Sequence, residues 1–349
     1  MKRALSLILA LVMALTLVAC GNKDGGKDDS FVIGITTFST STVFSRNARE
    51  VLKKEITAHG GTYIDNVATD ILSRDDAINN FVSQGVNAII LLSGDVSECE
   101  ESLQAAHKAG ILIGSCDAGY IDCVDIYTSS DNYAIGEQVM GALSEAMGGE
   151  GKVLQIYNDI GSMDRKRKGG AADVVAQNDK LSIDYDMVYA WPDYYDDIKS
   201  KMEAIILSDG SKIGGVFATF DGVGLAALQA VREAKLEASM PIVGVDGEAE
   251  ALNEIAKPDS AYYATVIQSW DDCGGVCVNE IFNALKGGTI SSSQIYVPGI
   301  LVTKKNVADI QSKYPELFVC IAKRITIIMI LCFINIIKFL ANCIMLLHL

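Results

Sequence analysis

The chain is poor in proline, histidine and tryptophan, and it has no excess of positive charge. Its 349 residues include only 5 Pro, 3 His and 2 Trp, while 50% are hydrophobic. This composition excludes a disordered or low-complexity protein, and the length suits two domains of ordinary size. The 29 basic residues stand against 44 acidic ones, which gives a formal net charge of −15. A body of that charge repels a phosphate backbone, which argues against nucleic-acid binding.

Motifs of common enzymes are missing as well. No G-x-G-x-x-G or G-x-x-x-x-G-K-[ST] loop follows a predicted strand, and G-x-S-x-G is absent. His59 and His107 end predicted amphipathic helices, as surface residues commonly do, and neither is near a cysteine pair that would complete a zinc site. We therefore expect no enzymatic activity, no metal and no cofactor.

The nine cysteines do not make a disulfide framework. Cys20 belongs to the N-terminal segment and three others to the C-terminal region, which leaves an odd number in the body. Small buried thiols are the favoured interpretation for the remaining five. These are Cys99, Cys116, Cys123, Cys273 and Cys277.

The first 20 residues differ in kind from the rest. A basic tip precedes an apolar run from Ala4 to Ala19, which is the pattern of a secretory signal peptide. Residues 17–20, LVAC, resemble a bacterial lipobox, which implies that Cys20 is lipidated and becomes the mature N-terminus. An ordinary signal with a chance cysteine, or an uncleaved anchor, is the alternative. Residues 21–30 contain no apolar side chain and are predicted to form a flexible tether.

Residues 321–349 form an almost wholly apolar tail without glycine, unlike the body of the chain. About 25 apolar residues are enough to cross a bilayer as a helix. A transmembrane helix and a read-through artefact are equal alternatives for this tail, and we leave it out of the fold prediction.

Between these ends, short apolar runs alternate with segments of helical periodicity. FVIGITTF (31–38) and VNAIILL (86–92) are typical of buried strands, and a segment with helical spacing follows each. Alternation at this spacing predicts βαβ units and a parallel sheet. The pattern restarts with GKVLQIYND (151–159) and ends with QIYVPGILVT (294–303) as a last strand, so we expect two α/β lobes of similar size.

Polar and aromatic residues follow many of the predicted strands. Ligands of open parallel sheets lie beyond the carboxyl ends of the strands, which makes these residues the candidate site. Carboxylates, amides and a guanidinium bind hydroxyl groups, and aromatic faces cover the C–H side of a sugar ring, which indicates a small neutral polyhydroxylated ligand. Each residue also has a structural alternative, such as a helix cap for Asn132 or a loop for Asp246. The candidates are Phe44, Asp117, Asn132, Arg167, Tyr195, Phe220, Asp246 and Gln268.

Several stretches carry a family resemblance through their order and spacing. They are QGVNAIILL, GKVLQIYN followed by DRKRKGG, YYDDIKSKMEAIILSDGSKIGGVFATFDGVGLAAL, PIVGVDG and YYATVIQ. In these stretches the chain from Phe31 to about Val307 resembles the ribose- and galactose-type periplasmic sugar-binding proteins of ABC transporters, of the type I fold. The resemblance implies two Rossmann-like lobes with parallel sheets, joined by a three-crossover hinge, that clamp the ligand between them. The implied lobes are 31–130 plus 269–298 and 131–268 plus 299–316.

The resemblance also implies roles for the polar candidates. Asp117 matches an Asp that binds two sugar hydroxyls, and Asn132 matches an amide in an S-D-N stretch. Arg167 matches the second Arg of an R-x-R-x-G stretch. Asp246 matches the Asp of V-G-x-D-G, and Gln268 matches a hinge-side Gln.

The aromatic candidates include a departure from the family pattern. Tyr195 and Phe44 match stacking aromatics, whereas Phe220 stands where the family has an Asn. Ala118 replaces the Arg that normally follows the site Asp. A guanidinium and an amide are thereby lost for hydroxyl recognition, which argues against ribose itself. A larger or less polar sugar, a cyclitol or another small polar ligand fits as well.

From this resemblance we expect a lipid-anchored, monomeric solute-binding protein outside the cytoplasm that delivers its ligand to an ABC permease by hinge closure. A ligand-sensing subunit for a chemoreceptor or histidine kinase is an alternative among binding proteins. A secreted α/β hydrolase that uses Asp117 or Asp246, and a purely structural surface lipoprotein, are alternatives from other classes.

Overall fold

The computed structural model describes residues 30–40, 43–159 and 161–319, without the side chains of Val43 and Phe44. The predicted signal peptide with Cys20, the 21–30 tether apart from Ser30, and the 321–349 tail lie outside the described residues. Within the described part of the chain, no helix is both long enough and apolar enough to span a membrane.

Two six-stranded sheets form the framework of the described residues. The strands of the first sheet are β1 (Val32–Phe38), β2 (Thr62–Ala68), β3 (Ala88–Leu92), β4 (Leu112–Cys116), β5 (Ile126–Ser130) and β11 (Gln294–Val297). Those of the second sheet are β6 (Gly151–Tyr157), β7 (Leu181–Val188), β8 (Ile213–Ala218), β9 (Ile242–Val243), β10 (Tyr262–Ile267) and β12 (Ile300–Thr303). The strand orders are β11-β5-β4-β3-β1-β2 and β12-β10-β9-β8-β6-β7, and only the β10–β12 pair is antiparallel. The predicted fold class, two α/β lobes with parallel sheets, is confirmed.

Helices cover both faces of each sheet. Their bounds are α1 (Val43–Ala58), α2 (Ile71–Gln84), α3 (Glu100–Lys108), α4 (Asn132–Ala146), α5 (Ser162–Ala176), α6 (Tyr194–Asp209), α7 (Asp221–Glu233), α8 (Ala249–Ile255), α9 (Trp270–Leu285) and α10 (Val307–Lys313). A strand covered on both faces is apolar throughout, and all five residues of β3 are buried. Successive side chains of β3 alternate between two hydrophobic clusters: Ile89 and Leu91 belong to one, and Ile90 and Leu92 to the other.

Helices α4 and α5 pack so closely that glycine is required at two contact points. A Cβ on Gly136 would lie 2.1 Å from the carbonyl oxygen of Arg167, and a Cβ on Gly170 would lie 2.1 Å from that of Tyr133. Since no side chain fits at either point, the backbones of the two helices touch. This contact brings Arg167 of α5 within hydrogen-bonding distance of Asn132 at the start of α4.

The sequence QIYVPGILVT is two strands, so the predicted single last strand is wrong. The chain breaks at Pro298 and Gly299. β11 then pairs in parallel with β5 in the first sheet, while β12 pairs antiparallel with β10 in the second. A Cβ on Gly299 would lie 2.5 Å from Val266 Cγ1, which explains why a residue without a side chain stands where the chain changes sheets.

The chain passes between the sheets three times within the described residues. The crossings fall between β5 and α4, between β10 and α9, and between β11 and β12. Helix α4 packs on α5 and β10 of the second sheet, whereas α9 packs on α1 and β5 of the first. We propose these crossings as the limits of the two lobes, which are then 31–130 plus 269–298 and 131–268 plus 299–316.

Candidate ligand-binding site

A cavity of about 620 Å³, counted to its open mouth, lies between the two lobes. It lies at the carboxyl ends of strands from both sheets. On the first lobe its wall includes Phe38 at the end of β1 and Ser93 after β3, and on the second lobe Asn158 after β6 and Tyr189 after β7. This position is that of a small-molecule site in an α/β protein.

Arg167 is the cation that lines this cavity, and it is buried. Its Nε donates to Asn132 Oδ1 at 2.8 Å, and its Nη1 donates to the carbonyl oxygen of Thr219 at 2.6 Å. Nη2 lies 3.5 Å from Asp246 Oδ1. Two hydrogen bonds and an ion pair therefore fix the plane of the guanidinium.

Asp117 and Asn132 form a buried pair behind the cavity wall. Asp117 Oδ1 accepts from Asn132 Nδ2 at 3.0 Å and from the Ser129 hydroxyl, while Oδ2 has no hydrogen-bond partner among the described residues. Burial raises the pKa of Asp117, and the charge of Arg167 opposes that shift. Asp117 is not among the residues that line the cavity, and it is connected to Arg167 through Asn132.

Asp246 lines the cavity at the end of a strand that stops early. Its φ is 120°, a value that residues with a side chain rarely adopt, and its Oδ1 accepts from Gln268 Nε2 at 2.7 Å. Burial raises the pKa of this carboxyl to about 8, against the opposing charge of Arg167, and the nearby Asp221 and Asp117 add to the rise. Near neutral pH the group can therefore accept or donate a hydrogen bond.

Aromatic rings build the other side of the cavity. Phe220 meets Tyr189 edge-on at 5.8 Å between ring centroids and Tyr194 at 5.1 Å, and Trp191 stacks on Tyr194 at 6.0 Å. Tyr189, Trp191 and Phe220 line the cavity, and Tyr194 supports them from behind. Such a wall suits the C–H face of a ring-shaped ligand.

The structure brings together most of the predicted site residues but not all of them. Arg167, Phe220 and Asp246 line the cavity. Asn132 bonds to Arg167, Asp117 bonds to Asn132, and Gln268 bonds to Asp246, so these three residues support the wall from behind.

Tyr195 is not brought to the cavity, and its predicted stacking role needs correction. Helix α6 begins at Tyr194, and that residue points inward against Phe220. The next residue on a helix points about 100° away, which leaves Tyr195 47% exposed. Phe44 lies in the first turn of α1, and its side chain is outside the described residues.

Sequence reasoning missed ten of the thirteen residues that line the cavity, among them Asn158, Asp164, Tyr189 and Trp191. Asp164 accepts from the Tyr189 hydroxyl at 2.7 Å and from the Asn158 amide at 3.2 Å. The aromatic positions had a signal, because the segment VYAW follows directly from strand β7. Asp164 had none, because it lies at the head of a strongly basic helix and its partners are distant in sequence.

The described residues contain neither a candidate metal site nor a disulfide. No group of three or more His, Cys, Asp and Glu side chains there is placed to hold a metal ion. The five cysteines of the body are buried and form no disulfide within the described chain.

Comparison with known proteins gives one consistent result. Residues 33–289 match the family model described as periplasmic binding protein domain. The chain is 28% identical over 303 residues to the xylitol-binding protein of Mycolicibacterium smegmatis, with 84% of each chain covered. It is 25% identical over 320 residues to the ribose import binding protein of Bacillus subtilis, covering 87% of this chain and 100% of that one. An ABC transporter solute binding protein from Agrobacterium vitis, solved with bound allitol, superposes with a TM-score of 0.76 at 25% identity, covering 81% of this chain and 99% of the other.

Proposed function

The chain belongs to the periplasmic binding protein domain family, and we propose that it binds a small neutral polyhydroxylated molecule, a sugar or a cyclitol, and delivers it to an ABC importer. Its relatives are substrate-binding proteins rather than enzymes, so the ligand is held and released unchanged. One observation carries the proposal: hydrogen-bonding groups and aromatic rings converge on a cavity walled by both lobes.

The chemistry of the wall supports a neutral, hydroxylated ligand. Arg167 Nη2 donates hydrogen bonds, and the Asp246 carboxyl, with its pKa raised to about 8, accepts or donates them at neutral pH. A hydroxyl group matches both because it is donor and acceptor at once. The Trp191 ring offers an apolar surface for the carbon side of the same molecule.

Hinge closure is the mechanism that follows from a two-lobe site. Besides the Asn132–Asp117 bond, two further contacts join the lobes: Arg165 of α5 donates to the Asp95 carboxylate, and Lys166 Nζ lies 3.4 Å from the Tyr127 hydroxyl. A ligand that touches both lobes adds to these contacts and shifts the open–closed equilibrium toward the closed form. The permease would then recognise the surfaces of both lobes in that form.

The proposal places the protein outside the cytoplasm as a monomer held to the membrane by lipid on Cys20. The 21–30 tether would let the lobes reach a permease in the same membrane. Metabolic labelling with a radioactive fatty acid tests the anchor: label is expected in the wild-type protein and absent from Cys20→Ala. Equal labelling of both proteins would refute lipidation at Cys20.

A thermal-shift screen of the purified protein against sugars, cyclitols and nucleosides tests the ligand class. A ligand at about 100 times its Kd stabilises the folded state by about 2.7 kcal/mol, which raises the Tm of a protein of this size by about 5 °C. We expect such a shift from at least one sugar or cyclitol, which mass spectrometry should recover unaltered. A screen in which none of these compounds changes Tm would refute the proposal.

A further inference from the structure

Much of the polar lining of the cavity is already hydrogen-bonded to itself. Asp164 Oδ2 accepts from the Tyr189 hydroxyl at 2.7 Å and from the Asn158 backbone amide at 3.2 Å. Asn158 Nδ2 donates to the Tyr189 carbonyl oxygen at 2.8 Å. These groups hold one another in place, and a ligand would have to break their bonds to use them.

Among the second-lobe residues that line the cavity, Arg167 and Asp246 are the polar groups that we place against a ligand. Arg167 donates to Asn132 through Nε and to Thr219 through one Nη1 hydrogen, which leaves the second Nη1 hydrogen and Nη2 for other partners. Nη2 lies 3.5 Å from the Asp246 carboxyl, whose Oδ1 also accepts from Gln268. A ligand therefore meets one adjacent donor and acceptor pair, which matches a pair of neighbouring hydroxyls.

Much of the remaining lining offers carbon rather than hydrogen bonds. It includes Phe38 from the first lobe and Met163, Tyr189, Trp191 and Phe220 from the second, while Ser93 of the first lobe adds a buried hydroxyl that has no hydrogen-bond partner among the described residues. Tyr189 presents only its ring here, because its hydroxyl is bonded to Asp164. The edge-on and stacked contacts among the aromatic rings fix the position of this wall.

We propose that the ligand is an amphipathic polyol, with hydroxyls at one end and an apolar substituent (a deoxy carbon, a methyl ether or an alkylthio group) at the other. This inference rests on the proposed function and narrows it. A hydroxyl pressed against the Phe220 and Met163 wall would lose its water without gaining a partner. A methyl group in the same place would gain from leaving water.

Titration calorimetry of the full-length protein with matched ligand pairs tests the inference. Each pair differs in one hydroxyl: L-rhamnose against L-mannose, D-fucose against D-galactose, and an O-methyl inositol against the parent inositol. We expect the deoxy or methylated member of at least one pair to bind about tenfold more tightly than its parent, the usual effect of one such group in an apolar pocket. If every parent that binds does so as tightly as its partner, the inference is wrong and the proposed function stands. If no sugar or cyclitol binds at all, both are wrong.

Two variants connect the preference to the wall. Phe220→Asn adds an amide to the apolar wall. We expect this variant to bind the hydroxylated parent ligand more tightly, so that the parent and its deoxy or methylated partner bind with nearly equal affinity. Met163→Gln makes the same change at nearly constant size, and it serves if the first variant does not fold. Tyr195→Asn alters an exposed aromatic outside the cavity and should keep the tenfold ratio. A ratio that persists in both wall variants would overturn the inference.

Discussion

Replacing Arg167 with alanine should weaken ligand binding by more than tenfold and also lower stability. The change removes the guanidinium that we propose contacts the ligand, and a hydrogen bond to a charged group contributes about 1.5–3 kcal/mol. That range corresponds to a factor of about 10 to 150 in Kd. The change also strips partners from Asn132 Oδ1, the Thr219 carbonyl and Asp246. Buried acceptors left without donors cost about 1–3 kcal/mol each, so we expect a loss of about 3 kcal/mol in the free energy of unfolding.

Calorimetric titration gives the affinity of the Arg167 variants, and urea denaturation gives their stability. Arg167→Lys keeps the charge but not the planar fork, so its affinity should fall between those of the wild type and Arg167→Ala. Lys180→Ala removes an exposed cation of the same lobe and should change neither quantity. A folded Arg167→Ala protein that binds with wild-type affinity would refute the assignment of Arg167 to the site.

Three further predictions concern the titration, packing and closure of the lobes. Because burial raises the pKa of Asp246 to about 8, the folded protein keeps a proton that the unfolded chain has lost above about pH 4. The free energy of unfolding should therefore decrease as pH rises from about 4 to about 8. In Asp246→Asn, the urea midpoint should change less with pH, measured between about pH 5 and 9, than in the wild type. An unchanged pH dependence would contradict the raised pKa of Asp246. Gly136→Ala should lower the free energy of unfolding, measured by urea denaturation, by about 2 kcal/mol and should weaken ligand binding. Gly141→Ala on the same helix, where a Cβ meets nothing within 4 Å, should instead raise the free energy of unfolding by up to about 1 kcal/mol. Equal effects of the two variants would rule out a close contact between the helices at Gly136. Arg165→Ala removes the ion pair with Asp95 between the lobes, so it should weaken ligand binding about two- to fivefold at low salt and not at about 0.5 M salt. Lys168→Ala removes an ion pair within one lobe and should leave binding unchanged. A loss of affinity that does not depend on salt would contradict a role of the Arg165–Asp95 ion pair in closure.

The elements that the sequence predicted best are those with an unbroken apolar pattern. The segment 86–92 was predicted as a buried strand, and β3 occupies Ala88–Leu92 with every residue buried. Strand β5 was not predicted because three of its five residues are Thr128, Ser129 and Ser130. Thr128 and Ser129 are buried in spite of their polarity because neighbouring side chains supply partners, Cys116 for Thr128 and Asp117 for Ser129. Such long-range pairing leaves no periodic trace in a sequence.

The site residues also differ in how well the sequence predicted them. Asp246 could be predicted because it ends an apolar strand, and the carboxyl ends of parallel strands share one edge of a sheet. Tyr195 shows the limit of this reasoning: a shift of one position on a helix exchanges an inward for an outward side chain. The structure places Tyr194 inward, and this choice depends on packing against Phe220 rather than on local sequence.

The buried carboxyls explain why a ligand would favour the closed arrangement. Asp117, Asp164 and Asp246 lie around a single guanidinium, and burial raises the pKa of each. Removing charged groups from water is costly unless hydrogen bonds replace the lost water. If ligand hydroxyls bond to Asp246, as we propose, binding and closure should be coupled.

A crystal structure of the protein with a ligand found in the thermal-shift screen tests the central claim most directly. The account predicts one intact ligand between the lobes, with hydroxyls within hydrogen-bonding distance of Arg167 and Asp246 and its carbon face on Trp191. A ligand bound on an outer surface, or a cavity filled by the protein's own side chains when ligand is bound elsewhere, would contradict it.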